Sequence, residues 1–193
     1  RAFGAFATGV TIATTLAPDG TPCGFTANSF SSVSLDPPLL LICQAKSSSS
    51  FAAFRDAGRF AVNVLAEPQA ALSTRFATRG ADKFASAAWS ARETGAPVLD
   101  DVAAWFDCRT EDLVDAGDHV VLIGRIVAFG DRDVAPLGYW RGAYVRFGED
   151  AGRGAAGELR VAAIVERRRE ALLRLRPDGS AALPSATAFG PVE

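Results

Sequence analysis

Apolar residues along this 193-residue chain recur in short runs, mostly with the alternation of a β-strand, and the runs are cut by proline, glycine and aspartate. VTIATTLA (10–17) is rich in β-branched residues and predicts a strand, and Pro18-Asp19-Gly20 supplies the dihedrals of the turn after it. FTANSFSSVSL (25–35) alternates, in part, between apolar and small polar residues, as a strand does when one face packs and the other looks into a site. After Asp36-Pro37-Pro38, the run LLLICQA (39–45) is short and bounded by turn residues, which favours a central strand over a helix. RFAVNVLA (59–66) predicts another strand. The segment 103–117 predicts a strand carrying Trp105 and Phe106 and then a polar turn. DHVVLIGRIVAFG (118–130) is the longest β signal, and its Gly124 predicts a bulge or a close backbone approach. PLGYWRGAYVRFG (136–148) is rich in turn residues and aromatics and closes on a last strand.

Helical spacing is found in three places. AFGAFATG (2–9) reads as one or two turns closed by Gly9. In SSSSFAAFRDAG (47–58), Phe51 and Phe54 share a face behind a cap at Ser49 or Ser50, and Gly58 ends the helix. In EPQAALSTRFATR (67–79), Leu72 and Phe76 stand four apart ahead of Gly80. Residues 81–100 are irregular. Strands with helices between only some of them make no βαβ repeat, and no GxGxxG follows the first strand, so a Rossmann fold has no support. The expected fold is mainly β with added helices, an antiparallel barrel. The pattern changes at EDAGRGAAGE (149–158), which has the composition of a flexible joint. Beyond it a strand-like segment, the turn ERRR (166–169) and a second apolar segment predict a hairpin packed on the barrel or on a partner subunit. One domain over 1–148 and a C-terminal extension over 149–193 are therefore expected.

Composition narrows the function classes. Hydrophobic residues make up 49% of the chain and charged residues 22%, enough for one full-sized domain with a core and short for two. With 20 basic against 22 acidic residues and a formal charge of -2, there is no electrostatic drive toward nucleic acid. Trp105, Phe106 and Trp140 have no basic groove in the sequence around them and read as core or dimer-interface residues, not a base-stacking platform. No apolar run approaches the roughly 20 residues that span a bilayer. The chain opens at Arg1 without a charged segment followed by a long apolar one, so a cytoplasmic protein without membrane contact is expected. Cys23, Cys43 and Cys108 form no CxxC pair and there is a single histidine, which suits buried free thiols in a reducing compartment better than a disulfide framework or a metal centre. Many serines surround that histidine, but no nucleophile–histidine pairing stands out.

The chemistry concentrates in two stretches. GFTANSFSSVSLDPP (24–38) packs hydroxyl and amide residues between two apolar runs, and SSSS (47–50) opens a helix whose first N–H groups would face an anion. These stretches belong to an ordered set: TGVTIATT (8–15), GFTANSFSSVSLDPPLLLIC (24–43), SSSSFAAFRDAGRFAVNVLAEPQAALSTRFA (47–77), ADKF (81–84), AGDHVVLIGRIV (116–127) and PLGYWRGAY (136–144). In this order, over about residues 2–147, the set resembles the flavin reductase-like family, the small reductase components of two-component flavin monooxygenases built on an FMN-binding split β-barrel.

The resemblance implies a flavin site. Thr26, Ala27, Asn28 and Ser29 would line the isoalloxazine and ribityl chain, and Ser47, Ser49 and Ser50, with the run they belong to, would surround the phosphate. Lys46 either reaches that phosphate or faces solvent. Arg79 and Lys83 would approach the phosphate or ribityl end, in some relatives across the subunit interface. His119 would lie by the nicotinamide of NADH or NADPH as the residue of the catalytic position, bonding the carboxamide and fixing the ring over the flavin without moving a proton in the hydride step. Asp118 either orients the imidazole or ends the preceding turn, and Tyr144 either closes the pocket or packs in the core. The implied protein is a homodimeric NAD(P)H:flavin oxidoreductase that reduces diffusible FMN or FAD for a partner flavin-dependent monooxygenase. The alternative is a non-reductase FMN carrier or sensor on the same barrel. A pyridoxamine phosphate oxidase-like enzyme would want more cations, and a ligand-free interaction protein would leave the serine run unexplained. Two positions depart from the family pattern: the serine run lacks the threonine often found near its end, and Gly138 stands where a larger residue is common.

Overall fold

A computed structural model of the chain describes residues 2–147 and, beyond them, the backbone of short strand segments between 161 and 186. The chain divides into two compact units, Arg1–Arg146 and Phe147–Glu193.

The first unit is built on a seven-stranded sheet in which every pair is antiparallel. Its strands are β2 (Thr11–Leu16), β3 (Pro22–Ala27), β4 (Ser31–Leu35), β5 (Pro38–Ala45), β6 (Arg59–Val64), β9 (Ala104–Ala116) and β10 (His119–Asp131), in the order β3-β2-β6-β9-β10-β5-β4. Edge strands β3 and β4 are joined by only residues 28–30. Three residues reach about 10 Å at full extension, so the sheet must curl until its two edges face each other. That is a barrel split between β3 and β4. The single strand expected over 25–35 is thus two, and the chain crosses the split between them. Ser29 pins the crossing: its Oγ accepts the Cys43 N–H of β5 at 2.8 Å.

Two helices lie on this sheet, α1 (Phe51–Asp56) and α2 (Ala70–Ala77), with short 3-10 turns at Phe3–Ala5 and Glu67–Gln69. The helical turns expected over 2–9 reduce to the first of these, because Thr8–Gly9 (β1) pairs with β11 (Leu137–Trp140), which forms a hairpin with β12 (Ala143–Arg146). The irregular stretch 81–100 holds a small hairpin, β7 (Trp89–Ala91) and β8 (Pro97–Leu99). The polar turn expected near the end of 103–117 is strand: β9 and β10 pair to their ends, and Arg125 donates to both Glu111 carboxylate oxygens across the ladder, at 2.8 and 2.7 Å.

The barrel core holds Leu40, Ile42, Phe54, Phe60, Val62, Cys108, Val120 and Leu122. On β5 the inward positions are Leu40, Ile42 and Gln44, so one polar side chain takes a core position. The ladder between β9 and β10 shifts register at Ile123/Gly124, and a Cβ at Gly124 would stand 2.5 Å from Phe60 Cζ and 2.9 Å from Cys108 Cβ. The glycine expected to mark a bulge or a close approach marks both. Among the described residues, no helix is long and apolar enough to cross a membrane.

In the second unit, Glu166–Arg167 pairs with Glu170–Ala171, so the first two residues of the expected turn are strand, and Arg168 and Arg169 lie outside the described residues. Val161–Ala162 pairs with Ser185–Ala186, and Arg174–Leu175 with Ala181–Ala182. The joint expected over 149–158 and the expected packing of a terminal hairpin lie outside the described residues.

Candidate active site

The curl that brings the sheet edges together also gathers the polar stretches of the sequence. A cleft of about 500 Å³ is lined by Thr26, Ala27, Asn28 and Ser29 from the end of β3 and the crossing, by Ser47, Ser48 and Ser49 from the turn after β5, and by Phe76, Ala77, Arg79, Lys83 and His119. Phe25, Cys43 and Ala45 complete the wall. Residues as far apart as Thr26 and His119 therefore share one surface.

Each wall has a local reason for its place. The Thr26 hydroxyl donates to the Ser73 carbonyl of α2 at 2.6 Å, tying β3 to that helix. Gly24 lets the same helix approach, since a Cβ there would meet Phe76 Cε1 at 2.8 Å. The Gly24 carbonyl in turn accepts from Lys83 Nζ at 2.9 Å. Arg79 reaches over the serine turn, and its Nη2 donates to the Ser47 carbonyl at 3.0 Å. Asn28 is exposed at the mouth.

His119 is the first residue of β10 and pairs with Ala45 of β5 and Ala116 of β9. Its Nδ1 lies 2.8 Å from Asp118 Oδ1. The Asp118 carbonyl also accepts the Lys46 N–H at 2.9 Å, which locks the hairpin end to the end of β5. The two alternatives for Asp118 thus coincide: it holds the imidazole and closes the turn.

Charge in the cleft has one sign. Arg79 and Lys83 are its ionised residues and no carboxylate lines it among the described residues. Burial lowers the Lys83 pKa from the usual lysine value, with nearby Cys23 opposing the shift. A partly desolvated cation beside hydroxyl groups gains from an anion more than a solvated one does. The hydrogen bond from the His119 ring holds the Asp118 carboxyl below its ordinary range.

Three expected site residues stand outside this lining. Lys46 Nζ is ion-paired with Asp115 Oδ2 at 2.6 Å. Ser50 is the N-cap residue of α1, 6% exposed; its side chain does not cap the helix and instead meets Gln44 Nε2 at 3.1 Å and Ser48 Oγ at 3.0 Å. Tyr144 donates to Ser73 Oγ at 2.9 Å, on the residue whose carbonyl holds Thr26, and so is tied to the α2 wall. Conversely, Phe76, Ala77, Cys43 and Ala45 line the cleft. Cys43, expected as a buried thiol, is half-buried there. The strand alternation carried the signal for two of these, since Cys43 and Ala45 fall on the face of β5 opposite Ile42 and Gln44.

Hydroxyl groups, two cations and an apolar floor of Phe25, Phe76 and Ala77 fit a flat, amphipathic anion such as a flavin phosphate. Among the described residues, no group of histidine, cysteine and carboxylate side chains is placed to hold a metal ion.

Comparison with known proteins gives the same direction. The flavin reductase like domain family matches residues 3–148. A probable flavin reductase of Rhizobium meliloti is 46% identical over 192 residues, 98% of this chain and 61% of that protein. The reductase component of the flavin-dependent trigonelline monooxygenase of Acinetobacter baylyi is 55% identical over 143 residues, 74% of this chain and 46% of that protein. The chain thus spans about half to three-fifths of the length of these two relatives. Among solved structures, the NADH:FAD oxidoreductase of Streptomyces globisporus in complex with NAD and FAD fragments aligns with a TM-score of 0.74 at 35% identity, over 78% of this chain and 92% of that one.

Proposed function

The chain belongs to the flavin reductase-like family, and on that premise we propose that it catalyses hydride transfer from NADH to a diffusible flavin, FMN or FAD, and supplies the reduced flavin to a flavin-dependent monooxygenase. One observation carries the reading: a single cleft holds the hydroxyl- and cation-lined serine turn together with the chain's one histidine. The relatives' names support the donor and the destination of the electrons, one being an NADH:FAD oxidoreductase and another a monooxygenase reductase component.

When bound, the nicotinamide and the isoalloxazine supply the hydride chemistry. What remains for the chain is binding and orientation. Ser47, Ser48 and Ser49 with Arg79 and Lys83 hold the phosphate end, and Phe76 and Ala77 give the ring system an apolar support. In the tautomer this reading assigns, the Nδ1–H of His119 donates to Asp118 and Nε2 is presented as an acceptor. A nicotinamide carboxamide N–H suits that acceptor, so His119 fixes the ring face without giving or taking a proton. Asn28 and Ser29 meet the ligand where the chain crosses the split.

Residues 1–148 form the flavin-binding domain in this proposal and 149–193 an extension of it. A homodimer is part of the same reading. Leu35 on edge strand β4 is 93% exposed and Phe129 on β10 is 70% exposed, a placement suited to burial against a second copy. Three free thiols accord with a reducing, cytoplasmic setting.

The test is NADH consumption, followed by its absorbance, with FMN, FAD or riboflavin added well above the protein concentration. Consumption that requires added flavin and saturates with it is expected. Tight flavin binding without NADH consumption would overturn the reductase reading and leave a flavin carrier or sensor.

A further inference from the structure

Gln44 is a polar residue where the barrel calls for an aliphatic one. It follows Leu40 and Ile42 on the inward face of β5 and is 1% exposed. Its Nε2 donates to Ser50 Oγ at 3.1 Å, while its Oε1 meets no hydrogen-bond partner among the described residues. Such an amide is costly to bury, because an unmade bond in the interior forfeits the hydration of that group. The amide orientation is nonetheless the better of the two available. Turning it over would put the oxygen on Ser50 and strand an NH2 group, and orphaned donors are rarer in proteins than under-used carbonyls.

The consequence runs outward to the cleft. Ser50 is 6% exposed, and its Oγ stands 3.0 Å from the Oγ of Ser48, a residue that borders the cleft. A hydroxyl has one proton to give. Either hydroxyl could donate in this contact, but Ser50 is buried and Ser48 Oγ is the one acceptor its proton meets among the described residues, so donation from Ser50 to Ser48 leaves no buried proton unused. The Ser50 N–H approaches the same oxygen at 3.4 Å. With its acceptor side taken up by Ser50, the Ser48 hydroxyl has its own proton left for the cleft. The direction of this short chain is set at its buried end, where the amide offers a donor.

We propose that Gln44 is a positioning residue of the anion-binding turn: acting through Ser50, it fixes the Ser48 hydroxyl as a donor toward the phosphate of the bound flavin. The proposal rests on the flavin reading of the cleft. It explains why a core position of β5 keeps an amide with an unsatisfied oxygen, and why Ser50 hydrogen-bonds inward instead of capping α1.

Dissociation constants for FMN and riboflavin, measured by quenching of flavin fluorescence, separate this role from a merely structural one, because the two ligands share the ring and ribityl chain and differ in the phosphate. Gln44→Met keeps the volume and removes the donor. It is expected to weaken FMN roughly tenfold, the scale of one misdirected hydrogen bond to a charged group, and to leave riboflavin within about twofold. Ser50→Ala, which cuts the chain in its middle with little change in volume, is expected to do the same, and it decides the matter if Gln44→Met does not fold. Combining Gln44→Met with Ser48→Ala is expected to add nothing to Ser48→Ala alone. A variant that weakens both ligands equally, or leaves the FMN-to-riboflavin ratio at the wild-type value, overturns the relay while the flavin reading stands. A wild-type protein that binds riboflavin as well as FMN overturns the placement of the phosphate at this turn, and the relay with it.

Discussion

Among the described residues, His119 is anchored on one side only. With Asp118 holding Nδ1 at 2.8 Å, the other ring nitrogen is left to the cleft. His119→Ala is therefore expected to raise the KM for NADH about tenfold, the value of one oriented hydrogen bond, with the FMN dissociation constant unchanged. Steady-state kinetics alongside fluorescence titration would check this, and an equal loss of FMN binding would contradict it. Lys83 gives a pH dependence with a defined sign. Burial lowers its pKa below the ordinary lysine value of 10.5, so the charged form dominates below that lowered pKa and faces the phosphate there. The preference for FMN over riboflavin should be full at neutral pH and fall as pH rises through the lowered pKa of the free protein; Lys83→Met should flatten the profile. The same shift has the opposite consequence for folding, since the burial cost applies while Lys83 is charged and is relieved as pH rises. Most cleft residues were reached through the resemblance carried by the ordered motifs, since side-chain type alone left the serine run, the amide beside hydroxyl groups and the one histidine open to a structural role. Lys46 and Ser50 were not sortable in that way. A lysine and a serine next to a binding turn look alike whether they face the ligand, a carboxylate such as Asp115 or the core.

At the scale of elements, β10 depends on Gly124. Gly124→Ala drives a methyl group against Phe60 and Cys108, both 0% exposed, so neither can yield into solvent. A loss of about 2 kcal/mol in unfolding free energy is expected from overpacking of this kind, measured by urea denaturation. That glycine was conspicuous in the sequence because it interrupts the longest apolar run. The break between β3 and β4 was not, because no proline or glycine marks residues 28–30 and its one trace is a lapse in the alternation at Asn28-Ser29. Closure of the sheet imposes it, and closure is a property of pairings far apart in sequence. The long ribbon of β9 was hidden for a related reason. Its second half, from Thr110 to Ala116, is largely exposed and buries no continuous face, so it lacks the alternation by which strands are recognised.

The whole molecule places two demands on any account of it. In the proposed homodimer Leu35 and Phe129 are covered by the second copy, and a sedimentation experiment is expected to find a two-chain particle; a monomer at assay concentration would remove the support for an interface at these residues. The cleft needs a ligand that is flat, partly apolar and anionic at one end, and its serine turn, its two cations and His119 lie close enough to act on one ligand pair. Turnover in the proposed reaction passes through a flavin free to leave, and the decisive experiment is anaerobic reduction of a large excess of FMN by NADH with the protein in catalytic amount. Complete bleaching of the flavin, many equivalents per protein, is the predicted result. Reduction that stops at one equivalent per site, or does not start, would contradict it.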